Sequence, residues 1–493
     1  MKKSNIIGIL GLIALVILVP SCGKDFLNTD QTNSVPATLA IANIQNALAA
    51  INGIHRALYS RYNNQAEFGQ GSIMMNTDVL GEDLVMTAAS NNFFIGAYKW
   101  NDHRNEASNL TSYVFEFYYR IIRNANTIIA KIDDASALEN EKKSIKGQAL
   151  TYRAWAHFIL VQLYGKRFDA QNATNPQLGI ALLLNGSTSG QPRATVGETY
   201  KQINKDLDDA IAILTTYRPS EHKSHININV AKGIKARVAL TQQNWELAAK
   251  MATEARAGYS LMSNQQMTQG FNSLDNPEWI WGSGHEIDPD MVFTAFFAYM
   301  SCNYNTTNIR NNPKAINNLI YDKMSATDIR RKLWVPNPSA SNAITPPGGL
   351  YKPYMTQKFL VADIGNTAND IPYMRSAEMI LIEAEAKARA GDAIGAQKAL
   401  FELMSNRDPA YKLSSNNGQA LIDEILLNRR IELWGEGFRF TDLKRLNLPL
   451  NRKGANHSTS LAQTLDVPAG SDLWQFKISR RELDTNKETV QNP

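Results

Sequence analysis

Apolar residues recur at intervals of three and four along much of this chain. Within residues 41–62 the positions Ile44, Ala47, Leu48, Ile51, Ile54 and Leu58 share one face of a helix, because 3.6 residues per turn bring such neighbours together. The same spacing predicts helices over 113–132 and over 144–164, where Trp155, Phe158 and Leu163 stand in the apolar stripe and Gly165 ends it. Residues 199–214 follow suit, with Tyr200, Ile203, Leu207 and Ala210 on one side. Residues 228–240 and 245–257 then form a pair across Gln242-Gln243-Asn244, and 376–390 with 393–404 repeat that plan. Small alanines at helical spacing around a tight turn are the plan of tetratricopeptide-type hairpins. One hairpin leaves its apolar face uncovered, so the two are expected to stack although more than a hundred residues separate them.

Two stretches have no steady period. Residues 65–109 are rich in Asn, Gly, Phe and Met, and 261–372 in Pro, Asn, Gly, Thr and aromatics; both are too long for simple connectors. The fold class expected is mainly α: a helix-pair scaffold over 40–64, 110–260 and 373–446 with a large irregular half. A last helix is expected over 423–434, and the chain from 447 onward reads as loop.

The first residues read as an address. Lys2 and Lys3 precede an apolar or glycine run of 14 residues over 6–19, then Pro20, Ser21 and Cys22. A spanning helix needs about 20 apolar residues, so this is a signal peptide over 1–21. V-P-S-C is similar to a bacterial lipobox, which makes Cys22 the expected lipidation site and 22–493 a single body. Cys302 is the only other cysteine, so no disulfide framework is available.

Composition narrows the class. Of 493 residues 44% are hydrophobic and 20% charged, which excludes a disordered chain and a polytopic membrane protein. A formal charge of +5 over that length shows no concentration for a nucleic acid. His285-Glu286 lacks the second histidine of a zincin, Gly282-Ser283-Gly284 and Gly435-Glu436-Gly437 read as turns, and no nucleophile elbow is present. Glu383 and Glu385 stand two apart on a helix and so face different ways. No catalytic residue or metal ligand set is called, and a structural calcium ion is left open.

Aromatics decorate both irregular stretches: Phe68, Phe93, Phe94, Tyr98 and Trp100 in the first, Phe293, Phe297, Tyr299, Tyr304 and Tyr351 in the second. They are either packing beneath long loops or a platform for a ligand's flat faces. One ring covering about 50 Å² contributes roughly 1.3 kcal/mol at about 25 cal/mol per Å², so a platform needs several.

Four segments carry a resemblance: L-T-Y-R-A-W-A-H-F-I-L-V-Q-L-Y-G from Leu150, Y-K-Q-I-N-K-D-L-D-D-A from Tyr200, P-Y-M-R-S-A-E-M-I-L-I-E-A-E-A from Pro372, and N-R-R-I-E-L-W-G-E-G-F-R-F-T-D-L-K-R from Asn428. With the lipobox they resemble the SusD/RagB family of Bacteroidetes outer-membrane lipoproteins. The C-terminal I-S-R-R-E-L-D-T-N-K lacks the proline common in that family's closing motif. The resemblance implies a tetratricopeptide-like, SusD-like fold and no enzyme activity. It implies lipid anchoring in the outer membrane, facing outward, and a role as lid of a SusC-like TonB-dependent transporter that receives oligosaccharide. Arg153, Arg375, Glu383, Glu385, Arg430, Glu432, Glu436 and Arg439 become scaffold ion pairs. The ligand-binding candidates are Asp78, Asp83, Trp100 and Asn101 in the first variable segment and Phe297, Tyr299 and Tyr304 in the second, with Trp100→Ala expected to abolish binding without unfolding. Capture of peptides or glycopeptides, a lipid-anchored glycoside hydrolase and a ligand-free scaffold are the competing readings.

Overall fold

The computed structural model describes residues 41–186, 189–214, 222–285 and 293–493; the expected signal peptide and Cys22 lie outside them. Eleven helices of seven residues or more carry the architecture within that range: α1 Ile44–Ala57, α2 Gln70–Val79, α3 Asn109–Lys131, α4 Glu139–Tyr164, α5 Val196–Leu214, α6 Ile228–Thr241, α7 Trp245–Ala255, α8 Ser376–Arg389, α9 Ala393–Arg407, α10 Gly418–Glu432 and α11 Arg439–Arg445.

Side-chain caps set many of the boundaries. Asn43 accepts the Asn46 amide at 2.9 Å, Ser108 that of Thr111 at 3.1 Å and Asp392 that of Gly395 at 2.8 Å, each satisfying a donor the helix leaves free. α4 begins before its apolar stripe does, because Glu141 accepts the Leu138 amide at 2.9 Å and fixes an exposed first turn. At its far end, a Cβ on Gly165 would stand 2.8 Å from the Val161 carbonyl oxygen.

The helices pack in chain order, α3 on α4, α4 on α5, α5 on α6 and α6 on α7; α8 then lies on α7, α9 and α10. The two expected hairpins therefore do stack. Arg256 pins the junction by reaching Glu383 at 3.1 Å and Glu402 at 2.6 Å.

Three expectations need correction. The stretch 65–109 contains α2, whose ten residues are all buried; a helix covered all round shows no amphipathic stripe. Residues 423–434 do not hold the last helix, since α11 follows, and the chain from 447 onward is not all loop, since short helices form at Thr459–Ala462 and Arg480–Thr485. α11 is held by charge and not by periodicity, with Asp442 bonding Arg429 and Arg445 at 2.7 Å each. The turn between α10 and α11 needs its glycines: Gly435 and Gly437 have φ of +79° and +87°, and a Cβ on Gly437 would come 2.8 Å from Met74 Cα.

The strands are short: β1 Leu84–Met86, β2 Trp279–Ser283, β3 Lys314–Ile316, β4 Trp334–Val335, β5 Met355–Thr356 and β6 Ile371–Arg375. β2 pairs antiparallel with β6, and β1-β3-β5-β4 form one sheet. β1 pairs with β3 with Leu84 opposite Ile316 and Met86 opposite Lys314, joining the two irregular stretches.

A buried lattice of charge ties the irregular half to the scaffold. Arg375 contacts Glu278 and bonds Glu436 at 2.8 and 2.7 Å and Glu432 at 3.2 Å. Arg407 meets Glu278 at 2.7 Å and Glu432 at 3.0 Å, Lys358 meets Glu436 at 2.6 Å, and Arg330 meets Asp328 at 2.7 Å. Burial raises the carboxyls of Glu432 and Glu436, but the surrounding cations outweigh it and hold both below the usual range. Elsewhere Arg153 bonds Asp206 at 2.8 and 2.7 Å, and Glu385 bonds Arg445 at 2.8 and 2.7 Å.

His157 is fully buried on α4, and among the described residues neither of its ring nitrogens has a hydrogen-bond partner. Burial, helped by Arg153, lowers its pKa to about 3; burial does the same to His103. An unfolded histidine titrates near 6.5, so the unfolded chain binds more protons below that pH and stability falls as pH drops from about 6.5 towards 3. His157→Leu is expected to flatten this fall, read as melting temperature from about pH 7 to about pH 4. An acid limb identical to wild type would exclude His157 from it.

Candidate functional site

The β1–β3 pairing brings residues 87–94 beside residues 305–312. Asn312 is buried and accepts the amides of Thr87 and Ala88 at 3.0 and 3.2 Å, while the Thr87 hydroxyl donates to the Pro313 carbonyl at 2.8 Å. Gln65 closes the far side: its amide donates to the Phe293 carbonyl at 3.2 Å, and its own carbonyl accepts Tyr299 Oη at 3.2 Å. Between these segments lies a cleft of about 330 Å³.

One wall is aromatic. Tyr299 stacks on Phe68 with centroids 5.2 Å apart and planes 8° apart, and meets Phe93 and Phe94 edge-on at 5.3 and 5.2 Å. Phe293 lies 6.4 Å from Tyr304 and is 52% exposed, a large apolar ring left open to solvent. The rest of the lining is mostly polar: Gln65 and Asn91 from the first segment, and Asn305, Thr306, Thr307, Asn308 and Arg310 from the second. Strain gathers here. Ser90, Asn91, Asn92 and Phe94 have φ of +22°, +37°, +58° and +63°, a region costing non-glycine residues of the order of 1 kcal/mol each and one that clusters at ligand-binding segments.

The seven candidate residues separate in space. Tyr299 borders the cleft but is fully buried, edge-on to Phe93, and Tyr304, also buried, lies 6.4 Å from Phe293. Phe297 is fully buried against Phe296 and Phe359. Asn101 is exposed, outside the cleft lining. Asp78 and Asp83 are 4% exposed and belong to the scaffold. Asp78 accepts the Gly437 amide at 2.8 Å, and burial pushes its carboxyl up to about 7. Asp83 bonds Arg430 at 3.0 Å and lies 3.6 Å from Arg439. Trp100 is 5% exposed: its Nε1 donates to the Leu80 carbonyl at 2.9 Å, and its ring packs on His103, Trp474 and Phe440. In this conformation six of the seven, all but Asn101, are buried.

Sequence reasoning missed Gln65, Asn91, Asn305 and Arg310. The available signal was amide-rich runs beside aromatics, Ser90-Asn91-Asn92-Phe93-Phe94 and Asn303-Tyr304-Asn305. A second cavity of about 80 Å³ lies between α4, α6 and the 435–438 turn, but its Arg237 and Arg445 are occupied by Glu378 and Glu385. Among the described residues no group of three or more His, Cys, Asp or Glu is arranged to hold a metal ion.

Comparison with known proteins agrees with this architecture. The family described as "Starch-binding associating with outer membrane" matches residues 25–240, and the SusD family matches residues 286–493. The chain belongs to the SusD/RagB family. A crystal structure of a SusD-like carbohydrate-binding protein from Bacteroides vulgatus is 25% identical and superposes with a TM-score of 0.79 over 91% of this chain and 98% of that one. A SusD superfamily protein from Bacteroides thetaiotaomicron, 24% identical, shares the fold with a TM-score of 0.76 over 92% and 100% of the two chains. SusD-like protein P25 of Formosa agariphila is 25% identical over 280 residues, 55% of this chain and half the length of that relative. SusD/RagB proteins are associated with the outer membrane, and among the described residues no helix is long and apolar enough to cross one.

Proposed function

We propose that this SusD/RagB protein binds a glycan in the cleft between its two irregular segments. Anchored through Cys22 on the outer face of the outer membrane, it hands that glycan uncleaved to a SusC-type TonB-dependent transporter over which it closes. The observation that carries the reading is the exposed Phe293 ring, which lines the cleft together with Phe93 and with side-chain amides and hydroxyls. Sugars offer one apolar face and a rim of hydroxyls, which such a lining receives. The described lining contains no Asp or Glu, so none of its residues is a carboxylate of the kind that works in pairs in glycoside hydrolysis.

Phe293→Ala tests it. Affinity electrophoresis of the purified protein against a polysaccharide panel is expected to show retardation by one polymer, with Kd roughly tenfold higher in the variant for the loss of about 1.3 kcal/mol of ring contact. The melting temperature should not change, because the ring is half in solvent. Retardation equal to wild type would move the platform elsewhere; depolymerisation of the bound polymer would make the protein an enzyme. Co-purification with a TonB-dependent transporter from native membranes tests the partner.

A further inference from the structure

Arg310 differs from the arginines of the buried charge lattice. Arg330, Arg375, Arg407, Arg430, Arg439 and Arg445 each have a carboxylate within 3.4 Å. Arg310 lines the cleft and, among the described residues, pairs with no carboxylate. Its guanidinium donates to two neutral acceptors, Asn305 Oδ1 and Thr307 Oγ1, both at 3.3 Å, the long end of the hydrogen-bond range. A guanidinium has five N–H donors in a planar fork, and those two bonds orient the fork without neutralising it.

The backbone beneath is fixed. Arg310 sits on the one-turn helix Thr307–Asn311, whose Ile309 amide is capped by the Thr306 hydroxyl at 3.2 Å. Its carbonyl accepts the Leu350 amide at 2.8 Å. The remaining polar groups of the lining, Gln65, Asn91, Asn305, Thr306, Thr307 and Asn308, are uncharged, so the described lining carries one net positive charge. The charge stands in the same cleft as the Phe93 and Phe293 rings.

We propose that the cleft selects glycans bearing an anionic substituent, a uronate carboxylate or a sulfate ester, which Arg310 receives while the rings take the sugar face. This rests on the glycan-binding reading above. Hydrogen bonds to an ionised acceptor are about twice as strong as neutral ones, and a planar carboxylate or sulfate edge can take two parallel N–H donors. A neutral sugar hydroxyl offers one acceptor and no opposite charge, so it takes a single N–H and leaves the guanidinium unneutralised.

The test uses matched polymers with the purified protein: a polyuronate and its carboxyl-reduced form, and a sulfated galactan and its desulfated form. Wild type is expected to bind one anionic polymer roughly tenfold more tightly than its neutral counterpart, with an affinity that falls as salt rises. Arg310→Gln is expected to abolish that difference and the salt dependence while keeping the wild-type melting temperature, and Arg310→Lys, which keeps the charge but not the fork, to retain part of it. The pair that shows the effect identifies the substituent. Equal wild-type affinity for charged and neutral forms, or an Arg310→Gln variant that still prefers the charged one, overturns the inference and leaves the glycan reading standing if Phe293→Ala still weakens binding. Binding of no polymer of either kind overturns both.

Discussion

Arg375→Met is expected to lower folding stability by about 3–5 kcal/mol, the cost of breaking a buried ion pair by removing one partner. Arg375 is 1% exposed and its guanidinium serves Glu278, Glu432 and Glu436 together. Methionine approximates its length, so packing is largely kept while three carboxylates lose their shared cation, leaving Glu278 and Glu432 to Arg407 and Glu436 to Lys358. The loss should depend on pH. Glu432 and Glu436 are held below the usual carboxylate range in the folded protein. Their contribution is therefore complete above the unfolded pKa of about 4.3 and is lost as pH falls through the folded values. Urea denaturation at neutral pH measures the effect, with Arg480→Ala as the control, since its pair with Glu106 is exposed and such pairs contribute about 0–1 kcal/mol. A loss under about 1 kcal/mol for Arg375→Met would mean that the lattice redistributes its charges and that no single cation is essential.

Trp100→Ala is the second large effect, and it reverses the expectation drawn from sequence. The ring is wedged edge-on between His103 and Trp474, with centroids 5.0 and 4.9 Å away, and over Phe440 at 5.9 Å. Removing a buried tryptophan costs about 3–5 kcal/mol through lost transfer energy and the cavity left behind. The Leu80 carbonyl loses its donor as well. Glycan affinity per folded molecule should be unchanged. A variant that keeps its denaturation midpoint and loses binding would return Trp100 to the ligand site.

The readable parts of this protein were those with local causes. Helix hairpins were visible because a 3.6-residue period and capping side chains lie within a few positions of one another, as at Asn227 and Asn244 before α6 and α7. The alanine-rich pairs announced stacking because each leaves a face bare. The segment from Asn428 was assigned to scaffold ion pairs through its resemblance to a family, and the partners themselves were out of sight: Arg430 meets Asp83 across 347 positions. α2 was invisible for the opposite reason, being covered on every side. Asp78, Asp83 and Trp100 looked like ligand groups because polar and aromatic residues in an aperiodic stretch are ambiguous until their neighbours are known.

By itself, the sequence determined a helical scaffold, its hairpin repeats and the family to which the chain belongs, all written in short-range spacing and motif. Only the tertiary structure decided which aromatics are core and which face solvent, and where the cleft lies. The cleft exists because β1 meets β3 and because Asn312 clasps Thr87 across 225 positions. Pairings at that distance depend on the summed packing of the whole chain and leave no period behind in the residues that make them.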